Sequence, residues 1–125
     1  MKRAYMETFG EFICRKRISH DITLRAMADR MGVSAVYISD VEKGRRNAPD
    51  MEKLEKIASI LELDPDEKTL LFDLAGEQRD QIAPDIPAYI RSSDMVTCAL
   101  RAARDLGAGD NEWQKFIDDL KRRKE

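Results

Sequence analysis

The sequence predicts an all-α protein, and three observations predict it. Apolar residues recur at intervals of three and four along each patterned stretch, the period that gives an α-helix one buried face. Residues that cap helix N-termini stand ahead of those stretches, at Thr23, Ser34, Asp50, Asp64 and Ser93. Charged side chains make up 37% of the 125 residues, which suits a soluble helical chain long enough to bury a core.

A first helix is expected over residues 5–18, with Phe9, Phe12 and Ile13 inward and Cys14 or Arg17 flanking that stripe. His20, the one histidine, falls in the turn Ser-His-Asp-Ile-Thr and reads as a loop residue. Thr23 caps the second helix, whose free N-terminal amides face outward and make a ready phosphate site. From Leu24 to Lys43 the residue types suit a helix, a tight turn and a second helix crossing the first. Ala28 is small where the two must approach. Gly32 falls where the turn wants a left-handed backbone, which costs other residues roughly 1–2 kcal/mol.

Ser34 caps the third helix. Leu24, Met27, Met31, Val33, Ile38 and Val41 form the shared apolar face, which leaves Ala35, Val36, Tyr37, Ser39 and Asp40 on the outer side or its edge. Gly44 ends the helix, and Arg45-Arg46 follow in a loop suited to clamping phosphate, with Lys43 a weaker member of that group. An ordinary basic loop is the alternative. Asp50 opens a fourth helix with Met51, Leu54, Ile57, Ala58 and Leu61 inward, and Asp64-Pro65-Asp66-Glu67 opens a fifth, closed by Leu70, Leu71, Leu74 and Ala75.

Three parts follow: a domain over residues 1–76, a connecting segment over 77–92 and a helical hairpin over 93–125. Pro84 and Pro87 disfavour a long helix in the connection, although Ile82, Ile86, Tyr89 and Ile90 give it more apolar content than a free linker needs. The hairpin carries Met95, Val96, Ala99, Leu100, Ala103 and Leu106 on its first helix and Trp113, Phe116, Ile117 and Leu120 on its second, joined at Gly107 and Gly109. About 30 residues bury too little alone, so this stripe needs another surface. Its own first domain, a second copy of the chain and a different protein remain open as that surface.

The order of Ala28, Gly32, Ser34, Ile38 and Val41, with Glu42, Gly44, Arg45, Arg46 and Pro49 after it, resembles the helix-turn-helix of the phage repressor and Cro proteins and the Xre-like regulators. The likeness covers about residues 9–64. It implies a five-helix repressor-like DNA-binding domain, followed here by the hairpin. Carried over residue by residue, Ala35, Val36, Ser39 and Asp40 read base edges, with Tyr37 divided between base and phosphate. Thr23, Arg25, Lys43, Arg45 and Arg46 become phosphate contacts, and Arg15, Lys16 and Arg17 lie near the backbone. The reading face departs from the family in lacking Arg, Asn and Gln, so readout rests on thymine methyls, the Ser39 hydroxyl and groove shape.

Net charge is −2, which argues mildly against nucleic acid. Its distribution matters more. Residues 1–64 hold 12 Lys and Arg against 11 Asp and Glu, residues 65–99 hold 3 against 7, and residues 100–125 hold 7 against 6. Cys14 and Cys98 have no companion His and no Cys-x-x-Cys spacing, so zinc and a disulfide are not indicated and buried free thiols are expected. Neither a spanning segment nor a secretion signal is legible, and a reducing cytoplasm is the expected location. One His, no nucleophile motif, no glycine-rich phosphate loop and no metal spacing leave no support for an enzyme or a cofactor.

The expected function is a sequence-specific regulator of transcription binding double-stranded DNA, a dimeric repressor whose pairing surface is Met95, Leu100, Trp113, Phe116, Ile117 and Leu120. An antitoxin-like protein, whose C-terminal helices bind a toxin-like partner, is the alternative.

Overall fold

The computed structural model describes residues 5–124; the first four residues of the expected N-terminal domain and the final Glu125 lie outside that range. The fold is all-α. Among the described residues the elements are α1 (Phe9–Ser19), α2 (Leu24–Met31), α3 (Ala35–Glu42), α4 (Met51–Ile60), α5 (Pro65–Gln78), α6 (Asp85–Arg91), α7 (Asp94–Asp105) and α8 (Asp110–Arg122). Two compact units divide the chain between Pro87 and Ala88.

In the first unit α1 to α5 share one core. Phe9, Phe12, Ile13, Met27, Met31, Ile38, Val41, Leu54, Ile57, Leu61, Leu71 and Leu74 are each 3% exposed or less. Full burial of such a side chain stabilises by about 1.5–3 kcal/mol. Leu24, Val33, Met51 and Leu70 sit half-buried at its margin.

The caps set the helix starts. Thr23, Ser34 and Asp50 accept from the backbone N–H groups of Ala26, Tyr37 and Lys53, and Asp64 and Glu67 cap α5 reciprocally behind Pro65. The first helix begins later than expected. Residues 5–8 precede it, because Thr8 accepts from Glu11 N–H at 3.1 Å while Glu11 accepts from Thr8 N–H at 2.9 Å. Gly32 adopts φ +71°, which lets Val33 N–H reach the Ala28 carbonyl and ends α2 in the tight turn to α3.

Gly10 fixes how closely α1 meets α3. An added Cβ there would fall inside contact distance of the Val41 and Glu42 carbonyl oxygens. The same junction holds a buried ion pair: Arg17 Nε donates to Glu42 Oε2 at 2.7 Å and Nη2 to Oε1 at 3.0 Å. Nη1 donates to the Ile22 carbonyl at 2.8 Å, so the planar guanidinium links α1, the α1–α2 turn and the end of α3.

The stretch expected as a connection contains α6. Pro87 is its third residue, within the first turn, where backbone N–H groups have no intrahelical acceptor and proline removes nothing. In the second unit α7 starts at the Ser93 cap, and the turn to α8 uses Gly107 at φ +73° and a bond from Gly109 N–H to Glu112 Oε2 at 2.8 Å. No described residue of α7 or α8 is buried.

Both cysteines are free, but they are not buried as expected: Cys98 is exposed and Cys14 half-buried. No residue of α7 is buried, so the Cys98 thiol stays in solvent. Partial desolvation, with Glu42 nearby, pushes the Cys14 thiol up and keeps it protonated. Among the described residues no helix is long and apolar enough to cross a membrane.

Candidate nucleic-acid interface

The outward surface of α3 follows from its inward one. Ile38 and Val41 are buried, and the 100° step between successive residues turns Val36 to the opposite side of the helix, with Ala35 at its first position nearer the edge. Ala35 is exposed and Val36 is 69% exposed. Tyr37, Ser39 and Asp40 are half-buried along the edge. Ser34 Oγ is already committed to Tyr37 N–H at 3.0 Å, which holds the first turn of the helix rigid.

The loop after α3 is tied at both ends. Gly44 turns it at φ +76°, and Arg45 N–H donates to the Asp40 carbonyl at 2.8 Å. Beyond that point α5 holds it. Gln78 Nε2 donates to the Arg46 carbonyl at 3.3 Å, Gln78 Oε1 accepts from Ala48 N–H at 2.5 Å, and Arg79 donates to the Ala48 carbonyl.

Two contacts join the loop's side chains to α3. The Arg46 guanidinium lies 5.2 Å from the centre of the Tyr37 ring, a cation–π contact of about 0.5–1 kcal/mol at an exposed site. Arg45 Nη1 is 3.7 Å from Asp40 Oδ1 with its own side chain 68% exposed. The expected base-reading and phosphate sets therefore meet in one place, through the pairs Tyr37–Arg46 and Asp40–Arg45. Lys43 is exposed beside them. Asp40 faces Arg45, which offsets the repulsion a lone carboxylate would bring to a phosphate-lined groove.

Thr23 and Arg25 form a second cluster at the start of α2. Both are exposed, and Thr23 Oγ1 accepts from Ala26 N–H at 3.0 Å, so its hydroxyl proton stays free to donate outward. The expected basic stretch of α1 is different. Arg15 donates to Glu7 at 2.7 and 3.2 Å, Lys16 pairs with Glu67, and Arg17 is buried against Glu42. None of the three stands as a free cation, because each already has a carboxylate within the same unit.

Gln78 and Arg79 were not singled out by the sequence as parts of this region, and Arg17 and Glu42 were singled out separately but not as a pair. For Arg17 a signal exists, since it lies four residues beyond Ile13 on the inward stripe. For Gln78 and Arg79 no local signal exists, because their partners are about 30 residues away.

The expected pairing surface lies in the second unit. Met95 is 77% exposed, Leu100 40%, Trp113 37%, Phe116 53%, Ile117 42% and Leu120 43%. Trp113 and Phe116 meet edge to face, ring centres 6.2 Å apart. Four apolar side chains at positions 113, 116, 117 and 120 thus form a half-exposed stripe along one side of α8.

The Helix-turn-helix family matches residues 14–68. A stretch of 58 residues is 36% identical to the HTH-type transcriptional repressor RghR of Bacillus subtilis (strain 168), covering 46% of this chain and 43% of that protein. The match therefore spans less than half the length of the curated relative. A solved SinR protein/SinI protein complex is similar over 94% of this chain and 98% of the other, at 22% identity and a TM-score of 0.47.

Proposed function

We propose, from the premise that residues 14–68 are a helix-turn-helix domain of the Xre-like kind, that this protein binds double-stranded DNA sequence-specifically and represses transcription as a dimer. The matched family is one of DNA-binding regulators and not of enzymes. One observation carries the reading: a rigidly capped helix presents an apolar, exposed Val36 beside a loop that holds Arg45 and Arg46 in order. An exposed valine gains from contact with a thymine methyl, and neighbouring guanidiniums supply the phosphate contacts that fix register. Thr23, Arg25 and Lys43 add to that phosphate set, and Ala35, Tyr37, Ser39 and Asp40 complete the reading face.

Two copies multiply a modest affinity, because two reading helices about 34 Å apart meet successive half-sites on one face of the duplex. The half-exposed stripe of α7 and α8 is the pairing surface in this reading. The same exposed stripe favours a second reading, in which the hairpin binds a partner protein and the chain acts as an antitoxin-like module.

Selection from a random duplex library at about 0.1 M salt, with the mass of the bound complex from light scattering, tests both. An inverted repeat bound by two chains supports the dimeric regulator. A well-folded sample that enriches no sequence overturns it and favours the partner-protein reading.

A further inference from the structure

We infer that Gln78, together with Arg79, is a positioning residue for DNA binding: it holds the backbone of the Arg45–Ala48 loop so that the Arg46 guanidinium is presented to a phosphate. The inference rests on the function proposed above and names a part of the interface outside the helix-turn-helix itself.

The loop from Lys43 to Asp50 has no helical partners for most of its backbone. Its first half borrows them from the end of α3, through Gly44 N–H to the Val41 carbonyl and Arg45 N–H to the Asp40 carbonyl. Its second half borrows them from the end of α5. The Gln78 carboxamide spans two residues of the loop, one end donating to the Arg46 carbonyl and the other accepting from Ala48 N–H. Ala48 is fully buried, so both of its backbone groups require partners within the protein, and Gln78 and Arg79 supply one each.

Arg46 is consequently fixed at two points, its backbone by α5 and its guanidinium by the Tyr37 ring of α3. Among the described residues no carboxylate forms an ion pair with it, in contrast to Arg15, Arg17 and Arg45. A cation held in place, with no ion-pair partner among the described residues, has its ordering cost met before binding.

The test is a double-mutant cycle on the full chain, with duplex affinity measured from 0.05 to 0.3 M salt for Gln78→Ala, Arg46→Ala and the pair. Gln78→Ala should weaken binding to every sequence about 5- to 10-fold and lower the salt slope by about 1 per chain, as Arg46→Ala does. The pair should be no weaker than Arg46→Ala alone. Gln78→Glu keeps the acceptor for Ala48 N–H and loses the donor to Arg46, so it should fold and melt near the parent temperature; because it also adds a negative charge, it is compared in the parent and Arg46→Ala backgrounds, and should lose affinity and slope in the first and nothing further in the second. It decides the matter if Gln78→Ala does not fold. Additive losses, or lost affinity with an unchanged slope, overturn the positioning role while leaving the proposed function in place. A parent chain that binds no duplex overturns both.

Discussion

Arg15, Lys16 and Arg17 are adjacent and chemically alike in the sequence, yet the fold gives them unlike tasks. Helical rotation alone separates them. Arg17 falls on the stripe of Phe9 and Ile13 and enters the core, where its side chain is 11% exposed and that of Glu42 is 8%. Removing one member of such a pair strands the other charge, at a cost of about 3–5 kcal/mol. Glu42→Ala should therefore lower unfolding free energy in urea by about 3 kcal/mol, and Arg17→Met with Glu42→Leu should recover most of the loss. A Glu42→Ala cost below about 1 kcal/mol would show that water reaches the pair. The sequence marked Glu42 only as part of a motif, because nothing local points to a cation 25 residues earlier. Arg45 is the opposite case, exposed and legible from its place after Gly44. Arg45→Ala should weaken binding to all duplexes alike and reduce the salt slope by about 1 per chain. Equal loss with an unchanged slope would remove it from the phosphate set.

Single elements were legible where their ends carry chemistry of their own. Ser34, Asp50, Asp64-Pro65 and Ser93 announce α3, α4, α5 and α7, since a side-chain acceptor for the first free amides needs only local sequence. The start of α1 lies later than the expected residue 5, at the capping box that Thr8 and Glu11 form, a local signal the apolar stripe alone does not carry. The prolines near α6 read as breakers when one of them sits in a first turn. How α1 docks on α5 was not legible, since it brings together residues far apart in the chain, as Lys16 and Glu67 meet across 51 residues beside the shared core. Donation from Lys16, then from the Asp64 backbone, holds the Glu67 carboxyl below the ordinary glutamate range. A folded value below the unfolded one contributes stability fully above the unfolded range, and that contribution disappears as pH falls through the folded value. With Glu67 about a third exposed, the pair is worth about 0.5–1 kcal/mol. Glu67→Gln keeps the cap on Asp64 and should melt about 2–4 °C lower at pH 7, a gap that closes as pH falls through the lowered folded value of Glu67. A gap that persists in acid would assign the loss to packing instead of charge.

At the scale of the whole molecule, a net charge of −2 and a half-exposed apolar stripe pull against simple monomeric DNA binding. On the function proposed above, weak overall attraction would limit what one chain gains from phosphates, and a second copy would supply the remaining affinity. If each chain neutralises about 3 phosphates, a dimer has a salt slope near −5 and a monomer near −3. The stripe of α8 supplies both the contact and a reporter, because Trp113 is the chain's single tryptophan. Its ring is 37% exposed beside Phe116, and pairing of two hairpins would remove it from water. Raising the concentration from about 0.1 to 100 μM should shift its emission to the blue as light scattering moves from one chain mass to two. Ile117→Asp introduces a charge at the centre of that stripe. It should abolish both changes, weaken dimerisation at least 30-fold, and bring the salt slope on an inverted repeat from about −5 towards −3. The helix-turn-helix unit would keep its own core and its binding to a half-site. If Ile117→Asp leaves mass, emission and slope unchanged, the hairpin is not the pairing surface, and a dimer observed by scattering would have to form through the first unit.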